Sequence, residues 1–395
     1  MVKDIIKILF FFLIKFVPKK NNLLVFGDRA GRRFADNSRY LYLHLNKNNK
    51  NFNCIWITKN KKIKQYLNDK GYYCYINSSL LGIYYSLRAK YHVYNFVEND
   101  INEILSEFSN SILLWHGVLP KKLKPIEINT SYISQYLNKK IKKYFLYPNK
   151  EMSLNIMNRF PKNKYELFLS NLPRNIGFEN KENFNDYRTS NEIDFINKIR
   201  DEKKNIFGYF PTWRLNGLEL FYDVKNFNDL LKTNKILEKS NSIILIKKHM
   251  NSEKEDNNIL YNKDIENISN FLSKLNNFKF VDYEFDLNSI LHVCDVLISD
   301  YSGVIFDYLY LDRPIIIYAP DYTKFNNENG FVFDPLKNKI GHVANNLNDL
   351  NNLIYDYSSN KIEFKEKYNL NRKLAKNKVF SNDKGIKNLI NLLQN

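Results

Sequence analysis

Residues Asp295–Tyr318 read DVLISDYSGVIFDYLYLDRPIIIY. Val296–Ser299 is a short apolar run of strand type, and Asp300-Tyr301-Ser302-Gly303 is a polar turn after it. Val304–Leu311 reads as a helix with Asp307 in its second turn. Asp312-Arg313-Pro314 breaks that helix, and Ile315–Tyr318 is another buried-strand run. The pattern is a βαβ unit whose polar turn lies at the carboxyl end of a strand, where open parallel sheets bind ligands. A helix N-terminus directly after the turn offers free N–H groups and a positive dipole end, which suits a phosphate. On this stretch alone a second reading stands beside it: Ser302 caps the helix and Asp300 satisfies a turn.

Upstream, the same pattern repeats. Asn205–Phe210 (NIFGYF) is a strand followed by Pro211-Thr212-Trp213-Arg214, and Ser242–Lys247 (SIILIK) is a strand ending in Lys248-His249. Asn277–Val281 is a third. Three strand ends in this half therefore carry Arg214, Lys248-His249 and Asp300–Ser302. Cationic and hydrogen-bonding groups converging at one sheet edge describe a site for a phosphorylated ligand. Downstream, Gly330-Phe331-Val332-Phe333-Asp334 and Gly341-His342 form a loop, and Leu347–Asn395 is helical and basic.

The first half alternates strands and helices as well, which indicates a largely parallel α/β sheet. Asn22–Phe26 (NLLVF), Phe52–Thr58 (FNCIWIT), Tyr91–Phe96 (YHVYNF) and Ile112–Trp115 (ILLW) are strands, and Ile63–Asp69 and Ser79–Ala89 are helices. After the first strand comes a loop with Arg29, Arg32, Arg33 and Arg39, in which Asp36-Asn37-Ser38 is the expected helix N-cap. The ILLW strand ends in His116-Gly117-Val118-Leu119-Pro120-Lys121-Lys122, a histidine at the tip of a buried strand where functional side chains collect. Ser131–Tyr144 reads as a basic helix and Leu167–Asn171 as the last strand before Leu172-Pro173-Arg174-Asn175. The polar stretch Asn180–Glu192 is the expected linker. The domains so drawn are an interfacial helix over 1–20, a first Rossmann-like domain over 21–190, a second over 191–375, and a C-terminal helix over 376–395 packing back on them.

Sixty Lys and Arg against 42 Asp and Glu give +18 over 395 residues, so the expected partners are anionic. The three cysteines, Cys54, Cys74 and Cys294, lie in or beside apolar runs and read as reduced core residues. Asp4–Val17 (DIIKILFFFLIKFV) is apolar but shorter than the roughly 20 residues a membrane span needs, and lysines punctuate and follow it. An interfacial helix on anionic headgroups fits it, and a helix packed on its own domain is the alternative. No GxxxxGK, GxGxxG, HExxH, CxxC or strand-end Asp-x-Asp is present, nor a basic–aromatic platform for nucleic acid.

Together these segments resemble the CDP-glycerol glycerophosphotransferase family of teichoic-acid primases and polymerases. LLWHGVLPKKL is similar to the family's WHG-T-P segment, GYFPTWR to its Y-x-PTWR, ILIKKHM to its K-x-HP strand end, and DVLISDYSGVIFDYLYLDRPIIIY to its DVLITDYSS stretch. LVFGDRAGRRFADNSRYLY, LPRN, GFVFD and SNDKG match further elements in order, from about Leu23 to Leu393. Gly303 stands where the family has a second serine, Met250 where it has proline, and Leu172 where it has glycine.

The resemblance implies a GT-B-like α/β fold, two Rossmann-like domains with mainly parallel sheets facing a central cleft, on a peripheral protein of the cytoplasmic membrane face. It implies attack by an acceptor hydroxyl on the β-phosphorus of a CDP-alditol, CDP-glycerol or CDP-ribitol, with CMP leaving. His116 is the expected base, and Arg214, Lys248 and His249 neutralise the diphosphate, without a metal cofactor. Thr212, Asp300, Tyr301, Ser302, Gly303 and Asp307 are the remaining expected donor-side residues, and Gly117, Lys121, Asp36 and Asn37 the acceptor-side ones. Its partners are then the donor, a lipid-linked or polymeric acceptor and an anionic membrane, with no nucleic acid. The product is then a teichoic acid or capsule polymer; two alternatives are a GT-B glycosyltransferase using a nucleotide sugar in capsule or lipopolysaccharide synthesis and a non-catalytic basic membrane adaptor.

Overall fold

A computed structural model describes residues 2–124, 132–161, 163–179, 181–212, 221, 224, 227–247, 263–380 and 385–394. They divide into two compact units, one of residues 1–118, 123–187 and 380–395, the other of residues 119–122 and 188–379.

The first unit is built on a parallel sheet of β1 (Lys20–Gly27), β2 (Asn53–Thr58), β3 (Cys74–Ile76), β4 (Ala89–Tyr94), β5 (Ser111–Leu113), β6 (Lys143–Tyr147) and β7 (Glu166–Leu169). The spatial order is β3-β2-β1-β4-β5-β6-β7. Strand order therefore reverses between β1 and β4, where Gly27 lies beside Tyr94. Leu23–Phe26 are fully buried, as expected of a central strand covered on both faces.

The second unit repeats the plan with β8 (Asn205–Tyr209), β9 (Ser242–Ile246), β10 (Phe278–Phe280), β11 (Val296–Ser299), β12 (Ile315–Tyr318) and β13 (His342–Ala344). Its order, β10-β9-β8-β11-β12-β13, reverses between β8 and β11. Phe207, Ile244, Val296, Ile298 and Ile316 form its core with Leu350 and Ile354 from a covering helix. Both units are of the doubly wound type, which binds ligands outside the carboxyl ends of the strands at such a reversal.

Polar residues set where helices begin. Asn60 and Ser79 cap helices through their side chains. Thr189 and Glu192 form a reciprocal capping box at the start of Ser190–Asp201, and Glu192 also accepts a hydrogen bond from the Asp286 N–H. Helix α1 (Val2–Phe16) buries Phe11 and Ile14 against Phe108, Leu137 and Ile141. Its next arc is exposed, with Leu13 65% and Phe16 82% accessible.

The structure departs from the sequence reading in several places. Ser131–Tyr144 is not one helix: a helix over Tyr132–Asn138 gives way to β6. β3 and β13, three residues each, form where no strand was expected. Within Asn180–Glu192, Phe184 and Tyr187 are buried around Tyr40, so this part of the segment packs on the first unit. The unit boundary falls inside it, after Tyr187. Leu389 and Leu393, from the C-terminal helix, are fully buried in the first unit, where Lys90 Nζ donates to the Leu393 carbonyl at 3.2 Å.

Candidate functional site

In the first unit, polar groups gather where β1, β4 and β5 end. Asp28 and Asn95, each just beyond a strand, are joined by a 2.8 Å hydrogen bond from Asn95 Nδ2 to Asp28 Oδ1. Asn95 Oδ1 accepts from the N–H and hydroxyl of Ser38, which fixes the start of α2 (Asp36–Asn48). Asp100 accepts from the backbone N–H groups of Ala30, Asn95 and Phe96 and so holds both loops of the reversal point. Burial pushes the Asp28 carboxyl well above the usual carboxylate range, and Asp100 and Asp36 push the same way against Asn95 and Arg29. Burial raises Asp100 too, against the N–H groups it accepts from.

His116 lies on this framework. Its ring stacks on Phe96 at 4.4 Å and 12°, and the Arg29 guanidinium packs over the same phenyl ring at 3.9 Å. Trp115 has φ 59° and Gly117 φ 125°. Of the ten non-glycine residues with positive φ among those described, Arg29, Ala30, Asp36 and Trp115 all stand here. Each such backbone costs of order 1–3 kcal/mol and persists where its surroundings enforce it, as at functional sites.

The enforcing groups are Asn37 and Arg174. Asn37 Nδ2 donates to the Trp115 carbonyl at 2.7 Å, and Arg174 Nη1 donates to the His116 carbonyl at 3.0 Å. The same guanidinium nitrogen pairs with Asp36 Oδ1 at 2.9 Å, and the Arg174 N–H donates to Asn37 Oδ1 at 3.0 Å. A Cβ on Gly117 would collide with Arg174 Nη2. Asp36-Asn37-Ser38 is thus not a simple N-cap. Ala35 occupies that position without a side-chain bond, and the three polar side chains reach other segments.

In the second unit the reversal point joins Thr212 to Asp300. Thr212 donates to Asp300 Oδ1 through its N–H at 2.9 Å and its hydroxyl at 2.6 Å, and Ser299 Oγ donates to the Phe210 carbonyl at 2.7 Å. Asp300 is buried and braces the loop that follows β8. Tyr301 is buried too, stacked on Phe325 at 4.1 Å with its hydroxyl donating to Asp321. Ser302 and Gly303 are partly exposed at the turn, and Ser302 Oγ lies 3.5 Å from the Val304 N–H. The helix after it is short, Val304–Tyr308 followed by a 3-10 turn over Leu309–Leu311, and buries Asp307. Lys247 Nζ donates to the carbonyls of Asp282 and Tyr283, anchoring the end of β9.

The structure therefore brings His116, Gly117, Asp36 and Asn37 together in one unit, and Thr212, Asp300, Tyr301, Ser302, Gly303 and Asp307 along one stretch of the other. Lys121 belongs to the second unit, bridged to Phe331, with Val332 and Phe333 N–H groups donating to the Pro120 carbonyl. Arg214, Lys248 and His249 lie outside the described residues. Asp28, Asn95 and Asp100 were not singled out in the sequence, although a polar residue straight after a buried strand is a usable signal. Among the described residues no group of three His, Cys, Asp or Glu is placed to hold a metal ion. Cys54, Cys74 and Cys294 are buried and free, as their apolar settings implied.

Comparison with known proteins gives a concordant result. The chain is 28% identical over 339 residues to a teichoic acid poly(glycerol phosphate) polymerase of Bacillus spizizenii, covering 82% of this chain and 80% of that protein. It is 25% identical to a teichoic acid glycerol-phosphate transferase of Staphylococcus aureus, covering 85% and 84%. Among solved structures, the wall teichoic acid polymerase TagF superposes with a TM-score of 0.68 at 21% identity, covering 99% of this chain and 95% of that one. This likeness gives the fold, which is α/β and GT-B-like. The model of the CDP-glycerol:poly(glycerophosphate) glycerophosphotransferase family matches residues 9–387. The chain belongs to that family and is a transferase.

Proposed function

We propose that the protein transfers glycerol phosphate from CDP-glycerol to a hydroxyl of a teichoic-acid-type polymer, releasing CMP. The observation that carries this reading is the family match across nearly the whole chain. An acceptor oxygen attacks the β-phosphorus; the new P–O bond forms as the bond to the CMP oxygen breaks, the electrons of that bond leave on the CMP phosphate, and the transferred phosphate keeps one negative charge as a phosphodiester. His116 takes the hydroxyl proton as general base and later returns it to solvent. The stacked, backbone-clamped ring supports this role, because a base must be aligned with the proton it removes. Arg214, Lys248 and His249 neutralise the diphosphate, with Ser302 and Gly303 at the phosphate and no metal required. Asp300 acts by holding the Thr212 loop.

The acceptor is lipid-linked and the protein works peripherally at the cytoplasmic face of the membrane. Supporting this, α1 exposes Leu9, Leu13 and Phe16. Beside that arc lies a groove of about 660 Å³ whose lining includes Phe12, Lys15, Tyr136 and Lys140, apolar walls with cationic groups suited to a lipid surface. No helix among the described residues is long and apolar enough to cross a membrane.

The test is CMP release by purified protein offered CDP-glycerol or CDP-ribitol, and UDP release from UDP-glucose, each with a polymer acceptor, with and without EDTA. CDP-glycerol should be turned over in EDTA, and His116→Ala should lower the rate by about 10²–10⁴-fold. Turnover of UDP-glucose alone would sink the reading, and loss of rate in EDTA would remove its metal-independent part.

A further inference from the structure

The clamp on the His116 loop assigns a role to a residue outside the expected site. We propose that Arg174, with Asn37, is a positioning residue that sets the orientation of the His116 ring for proton removal; this rests on His116 being the base. Neither residue needs to touch substrate for this. Asn37 and Arg174 hold the carbonyls of Trp115 and His116, the two successive peptides that flank the His116 Cα. Fixing both leaves the ring little backbone freedom, and Phe96 fixes the plane in which it lies.

Three features converge on Arg174. Its Nη1 donates to a carboxylate and a carbonyl at once through two N–H bonds fixed in the guanidinium plane, where a lysine ammonium offers only freely rotating donors. Its Nη2 fills the space a side chain at position 117 would need, so the absent Cβ of Gly117 serves packing as well as its φ of 125°. The backbone N–H of Arg174 donates to Asn37 Oδ1 and locks that amide, which ties the two clamps together. Asp36, Asn37, His116, Gly117 and Arg174 come from three segments far apart in the chain. A shift of about 1 Å in a reacting group can cost on the order of 10²-fold in rate.

The experiment is a double-mutant cycle read by steady-state CMP release from CDP-glycerol. Arg174→Gln should lower kcat about 10²-fold while KM for CDP-glycerol stays within about twofold. Arg174→Lys should recover about tenfold of that loss, having the charge without the fixed donor plane and without the second terminal nitrogen. In the His116→Ala background, Arg174→Gln should cost less than about threefold, because a group acting through His116 has nothing left to position. Asn37→Ala should show the same non-additivity with a smaller single effect, and it serves if Arg174→Gln lowers the melting temperature. An active Arg174→Gln beside an inactive His116→Ala overturns the proposal and leaves the reaction untouched. Losses that multiply in the double variant overturn it as well, since Arg174 would then act independently. An unimpaired His116→Ala removes both the base and its positioner.

Discussion

Asp28 shows how much the first unit invests at its strand ends. Its carboxyl is fully buried beside Asp100 and Asp36, and burial, with those acids, favours its protonated form. Below about pH 3.9 an aspartate is protonated whether the chain is folded or not. Above that, the unfolded chain releases the proton while the folded one retains it, so stability falls as pH rises toward the folded value. Asp28→Asn keeps an oxygen to accept from Asn95 and has no proton to lose. Its melting temperature should match the wild type near pH 3.5 and exceed it increasingly up to pH 7. A wild type at least as stable at pH 7 would refute the buried-acid account. The same region shows where reading the chain runs out. His116, Asn37 and Asp36 stand in recognisable strings, and their type and position pointed to a site. That Arg174 closes on His116 and Asp36 is a contact across 58 and 138 residues, set only by the packing of the loops. Tyr301, by contrast, sits in a motif and still packs into the core against Phe325.

The elements themselves were legible wherever burial made them uniform. β1 from Leu23 onward, β8, β9, β11 and β12 are largely apolar runs covered on both faces, and composition alone marks them. β6 was hidden because KYFLY follows a helix and a lysine-rich turn, Lys139-Lys140-Ile141-Lys142, without a Gly or Pro break. β3 and β13 are edge strands of three residues, too short for any period to register. Helix α1 was readable in character and ambiguous in use, and the structure divides its surface. Phe11 and Ile14 pack inward while Leu9, Leu13 and Phe16 face out. The double change Leu13→Ser and Phe16→Ser should therefore leave the melting temperature nearly unchanged. It should weaken sedimentation with vesicles containing anionic phospholipid by about 10–100-fold, from lost apolar burial of roughly 1.5–3 kcal/mol for a fully buried side chain. Vesicle binding that survives intact would take the membrane role away from this arc.

Across the whole molecule, neither unit is a continuous piece of chain. Residues 119–122 leave the first unit to pair with 330–333 in the second, and 380–395 return to the first. Alternating strands and helices indicated two α/β bodies, but no local pattern marks such exchanges. Ser170 Oγ donates to the Gly385 carbonyl at 3.2 Å, and Leu389 and Leu393 complete the first unit's interior. Leu389→Ala should cost about 2–5 kcal/mol, measured by urea denaturation, although it lies near the far end of the chain. A loss under about 0.5 kcal/mol would mean that the returning helix contributes little. The return also sets a schedule for synthesis. On a ribosome adding roughly 5–20 residues per second, the segment that completes the first unit appears some 10–40 s after residue 187 has been made. Until then its docking surface stands open, so the first unit is completed only after the last segment of the second has been made.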